Sequence, residues 1–136
     1  ASRYFKDPWL ARRDYIDLLC DPSWGVREKF WDGHQSYFMD EIGRRQSLKF
    51  LEMQRFRMAM FTSCGWFFDD IAGLEARLVL RLAARALEMA KDFGANVEEG
   101  FVARLAEAKS NDPEAGDGAT IYRQILQAKA AVPKAL

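Results

Sequence analysis

From Arg44 to Ser63 the chain runs without proline or glycine, and a second such run extends from Leu74 to Phe93. Both are rich in helix-forming residues, so both are predicted to be long helices. At 100° per residue the first run places Phe50, Met53, Phe56, Met60 and Phe61 on one side and Leu48, Leu51, Met58 and Ala59 on another. Apolar residues on two faces suit a helix with neighbours around it, which makes this run the expected central, buried helix. The second run carries Leu78, Leu82, Leu87 and Met89 as its apolar stripe and closes at Gly94. Between the two lies TSCGWFFDD, Thr62 to Asp70, which breaks the helical pattern with small residues, three consecutive aromatics and two carboxylates.

The flanking segments are punctuated as helices too. Asp7 before Pro8 reads as an N-cap with proline in the first turn, and Asp21-Pro22 stops that helix. Ser23 is positioned to cap a second helix carrying Trp24, Phe30 and Trp31, with Gly33 near its end. Tyr37, Phe38 and Ile42 then lead towards Gly43. Asn96 with Glu99 has capping-box spacing ahead of Phe101, Val102 and Leu105. A last helix through Ile121, Tyr122, Ile125 and Leu126 is expected to end before Pro133. No alternating strand pattern occurs. The expectation is an all-α fold, a bundle of about five or six helices around a central buried helix, in one domain over residues 1–136.

Composition narrows the function classes. Lys+Arg and Asp+Glu balance at 20 each, so no excess of positive charge invites nucleic acid. The longest nearly apolar window, Met58 to Phe68, is far below the roughly 20 residues that span a bilayer, so no membrane partner is expected. Two cysteines, Cys20 and Cys64, are read as free thiols in a reducing cytoplasm, Cys64 as a small packed thiol.

The candidate chemistry has plain alternatives. Asp69 and Asp70 form an adjacent acid pair, yet they precede a helix whose free N–H groups carboxylates cap. Cys64 as a nucleophile needs a base, and the single histidine, His34, follows Gly33 at a helix end, where it suits the terminal carbonyls. One histidine and two distant cysteines make no zinc spacing, and no cofactor is expected. Glu52, Gln54, Arg55 and Arg57 sit among apolar neighbours and must either pair or line a polar cleft. Ala115-Gly-Asp-Gly lacks the lysine and length of a phosphate loop and reads as a turn into a helix. Trp66, Phe67 and Phe68 cannot all face one side, and Gly65 frees the backbone to turn before them. On the residues alone these rings are either a ligand or partner surface or a core plug.

LEMQRFRMAMFTSCGWFFDDIAGLEARLVLRLAARALEMA (Leu51 to Ala90), AKSNDPEAGDGATIY (Ala108 to Tyr122) and RRDYIDLL (Arg12 to Leu19) together resemble the uncharacterised helical C-terminal domain of bacterial proteins related to glycoside hydrolase family 57. The resemblance implies an accessory domain beside an N-terminal β/α barrel that holds the catalytic carboxylates, with the start of this chain falling in mid-protein. It implies no catalytic residue here, and the chain alone is expected to hydrolyse no glycoside. Family 57 amylases and α-glucan branching enzymes carry a tryptophan-bearing segment where a similar helix meets the cleft. By that resemblance Trp66 occupies the similar place, and with its neighbours Phe67, Phe68, Asp69 and Asp70 and the polar Gln54 and Arg55 of the preceding helix it makes the expected substrate-binding set, for an α-glucan or oligosaccharide. A purely structural packing or interaction module without sugar contact is the alternative.

Overall fold

The computed structural model describes residues 3–131. Its elements in chain order are α1 (Pro8–Cys20), α2 (Trp24–His34), α3 (Glu41–Ala59), a single turn α4 (Cys64–Phe67), α5 (Leu74–Lys91), α6 (Glu98–Leu105) and α7 (Gly118–Ala131). The fold is all-α, as expected. Among the described residues no strand forms, and only two isolated bridges occur, Phe5 with Gln35 and Lys109 with Asp117. Pro133, the expected bound of the last helix, lies outside the described residues.

Backbone contacts divide the chain into two compact units, Ala1–Gln54 and Arg55–Leu136. The boundary falls inside α3, where no glycine, proline or polar linker marks it.

In the first unit, α1 starts where Asp7 accepts hydrogen bonds from the Trp9 and Leu10 amides at 2.8 and 3.1 Å. These satisfy two of the amides a helix start leaves free. Ser23 stands at the N-cap of α2 but makes no side-chain capping bond. α3 begins earlier than expected and includes Gly43, because the Asp40 carboxylate caps the Gly43 amide at 2.8 Å. The core gathers Phe5, Ala11, Phe30, Trp31, Met39 and Leu51. Its rings meet edge to face, Phe30 and Trp31 with centroids 5.2 Å apart.

In the second unit, Leu80 and Ala84 of α5 pack on Ile121, Tyr122 and Ile125 of α7. Burial is heaviest in α5, where Ala76, Leu80, Ala83, Ala84, Ala86 and Met89 are buried, whereas α3 buries Ser47 and Leu51. The expected α5 stripe is corrected at Leu78, which is exposed: the inner face is built largely of alanines, and small side chains let helices approach closely. The end of α5 is as read. Gly94 takes φ of +77°, and Gly94 and Ala95 N–H groups bond back to the Lys91 and Ala90 carbonyls at 3.0 and 3.1 Å, the paired bonds of a Schellman end. The capping box is not formed: Val97 holds the N-cap of α6 with no side-chain bond. Glu98 instead accepts from Lys91 and from the Tyr122 hydroxyl.

Asp117 caps α7. Its carboxylate accepts from the Thr120 amide at 2.9 Å and from Lys109 Nζ at 3.1 Å. The Thr120 amide first, and Lys109 next, hold its pKa down from 3.8 to about 2. A depressed folded-state pKa gives stabilisation that is present above the ordinary value and lost as pH falls through the folded one. Acid titration should therefore show Asp117→Ala least stable relative to the unaltered chain above pH 3.8, the gap closing towards pH 2. A gap constant across that window would contradict this assignment.

Candidate functional site

The break between α3 and α5 is a short turn, a single helical turn and a second turn. Thr62 and Phe61 amides bond back to Ala59 and Met58 carbonyls at 3.2 and 3.1 Å, which tightens the end of α3. α4 and the Phe68 that follows it then present their aromatics outward: Trp66 is 74% exposed, Phe67 73% and Phe68 51%. The core-plug reading is excluded by that exposure. Phe67 and Phe68 meet edge to face with centroids 5.3 Å apart.

Gly65 does a different job from the one expected. Its φ is not in the left-handed region, and a Cβ built on it would lie 2.8 Å from Val79 Cγ2. A side chain here has no space, so glycine is required for α4 to lie directly on α5. Close seating of Gly65 fixes the turn and leaves its neighbours Trp66 and Phe67 in solvent. Leu74 and Leu78 are exposed on α5, and Met58 and Phe61 are exposed ahead of α4.

The two carboxylates separate by role. Asp70 accepts from the Ala72 amide at 2.8 Å and from the Ser110 hydroxyl at 2.9 Å. The Ala72 amide is the larger cause, with Ser110 second, of a pKa lowered below the usual value. Asp70 therefore ties its own turn to the loop before α7. It does not cap α5, whose N-cap is Gly73 with no side-chain bond. The Asn111 side chain donates to the Asp69 carbonyl at 3.2 Å, which completes that tie, and Asp69 is exposed.

Of the remaining expected site residues, Arg55 lies in the second unit with its guanidinium 4.7 Å from the Phe56 ring centroid. Gln54 belongs to the first unit, where it lines a cavity of about 370 Å³ with Phe5, Pro8, Trp9, Arg12, Phe50 and Leu51. The residues drawn together as one local segment are thus Trp66 to Asp70. Glu52 is paired, accepting from the Tyr15 hydroxyl at 3.0 Å.

Cys64 is exposed, which corrects the expected packed thiol: at the start of a one-turn helix it has no apolar face to enter. Cys20 is likewise a free, exposed thiol. His34 ends α2, but its Nε2 lies 3.2 Å from the Asp14 carboxylate and its ring 4.8 Å from Phe30, so its side chain turns from the helix carbonyls. Among the described residues no group of three or more His, Cys, Asp or Glu side chains is placed to hold a metal. No helix there is long and apolar enough to cross a membrane.

Ser110 and Asn111 were not among the expected site residues, since their partners lie about forty positions away and no local pattern announces them. Trp9 and Arg12 were missed as well, although their i, i+3 spacing on a well-capped helix places them on one face.

One family model, described as Domain of unknown function (DUF3536), matches residues 1–135. No curated protein and no solved structure matches the chain.

Proposed function

The chain belongs to the DUF3536 family, and from that premise we propose that it is a non-catalytic helical accessory domain of a longer carbohydrate-active polypeptide. In this reading the Trp66 edge packs beside an N-terminal catalytic barrel and helps to form an α-glucan or oligosaccharide cleft. The exposure of Trp66 and Phe67 on a turn locked to α5 by Gly65 carries the reading. Large aromatic side chains left in solvent at neighbouring positions cost a chain solubility, and exposed apolar surface of this kind marks a contact with another body. Indole faces stack on sugar rings, and the exposed Asp69 beside them supplies an acceptor for hydroxyls. The resemblance to the helical domain of family 57-related proteins points in the same direction.

In this reading Asp70 serves the fold of the turn, and Asp69 is the carboxylate that faces solvent. The Asp70 carboxylate is committed to the Ala72 amide and the Ser110 hydroxyl, which hold its pKa below the usual value. The alternative, packing against another domain with no sugar contact, draws on the aliphatic character of exposed Met58, Leu74 and Leu78.

Cys64, adjacent to this edge, reports on its cover. Maleimide should label Cys64 rapidly in the isolated chain and far more slowly in the longer polypeptide, where a barrel seated on α4 shields it. Equal Cys64 rates in the two would count against docking through this edge.

A further inference from the structure

We propose that the cavity lined by Phe5, Trp9, Arg12, Phe50 and Leu51 binds a small monocarboxylate with an apolar body, independently of the Trp66 edge. Its volume, about 370 Å³, falls within the roughly 300–1,000 Å³ of ligand pockets. Phe5 and Leu51 are buried core residues that close it with apolar surface, and Pro8 adds to the wall. Trp9, 71% exposed, stands at its edge.

The charged element is Arg12, beside the neutral amide of Gln54 in the same lining. Its guanidinium carbon lies 4.9 Å from the Trp9 ring centroid, a cation–π stack. Among the described residues the guanidinium has no carboxylate partner. Two neighbouring carboxylates are engaged elsewhere: Asp7, the N-cap of α1, accepts from the Trp9 and Leu10 amides, and Asp14 is bound by Arg13 at 2.6 Å. A guanidinium held against an indole leaves its N–H edge available, and that edge matches a carboxylate in two parallel hydrogen bonds. Arg12 is the one cationic residue in the lining, so one negative charge is matched and a phosphate dianion is not. A largely apolar hollow whose one cation is a fork-shaped donor thus suits a ligand with an apolar body and one planar anionic head.

The test uses the chain with 3-phenylpropionate, its neutral amide 3-phenylpropionamide, and phenylphosphonate. Calorimetry gives affinities, and amide chemical shifts locate binding at Phe5 and Leu51. The expected result is saturable binding of 3-phenylpropionate at those residues, at least about tenfold weaker for the amide and for Arg12→Ala, with Arg12→Lys intermediate. The amide comparison tests the same charge on the unaltered chain, so the result does not depend on a variant folding. Absence of saturable binding, equal affinity for the amide, indifference to Arg12→Ala, or tighter binding of phenylphosphonate would each overturn the proposal.

Discussion

Trp31→Ala is expected to remove about 3–5 kcal/mol of folding stability, the range for truncating a buried large aromatic. Trp31 is 1% exposed and sits between Phe30, edge to face at 5.2 Å, and the Arg44 guanidinium, 5.3 Å from its ring centroid. Its loss leaves a cavity in the first unit's core and strips Arg44 of one apolar support. Arg44 remains paired with Glu28 at 2.8 Å, so the loss is mainly one of packing. Urea unfolding followed by circular dichroism measures it. A loss below about 1 kcal/mol, the size of an ordinary substitution, would contradict this assignment of the core.

In the second unit the comparable position is Tyr122. It lies on α7, fully buried among α5 and α6 partners, meets Phe101 edge to face at 5.5 Å, and donates its hydroxyl proton to Glu98 at 2.8 Å. Burial first, and Glu98 second, raise its pKa well above the usual phenol value, which keeps the hydroxyl protonated as a donor. Tyr122→Ala should cost about 3–5 kcal/mol by packing loss. Tyr122→Phe should cost about 1–2 kcal/mol, since the ring stays and Glu98 keeps Lys91 as a partner. Comparing the two variants separates ring from hydroxyl. Equal costs would mean that the hydrogen bond, and not the ring, holds α6 to α7.

The local signals in the sequence were sound where the physics is local. Asp7-Pro8 and Asp21-Pro22 bracket α1 because a carboxylate cap and a proline act within one turn, and Gly94 ends α5 because its positive φ suits glycine. Signals failed where a distant partner decided the outcome. Leu78 looked like core, yet the alanine face of α5 is the one that α7 covers. Glu99 had capping-box spacing, but the helix start went to Val97 while Glu98 engaged Lys91 and Tyr122. Gly65 reads as a residue that frees the backbone to turn, and its reason is Val79, fourteen positions on. The division after Gln54 was illegible because it falls within a continuous helix.

The candidate site was legible as a segment and not as an arrangement. Three aromatics after a glycine announced that some ring must face outward, and Trp66 and Phe67 do. The roles of Asp69 and Asp70 rest on Ser110 and Asn111, contacts that only the folded chain assembles.

The proposed accessory role is tested most directly by Trp66→Ala, read by α-glucan affinity in a polypeptide that joins this chain to the proposed catalytic barrel, with melting of the isolated chain as the reference. Trp66 is exposed, so the chain's own stability should change by no more than about 0.5 kcal/mol. Glucan binding should weaken by at least about tenfold, the loss expected for an aromatic anchor at a contact surface. Unchanged glucan affinity in the variant would contradict a role for Trp66 in the sugar cleft.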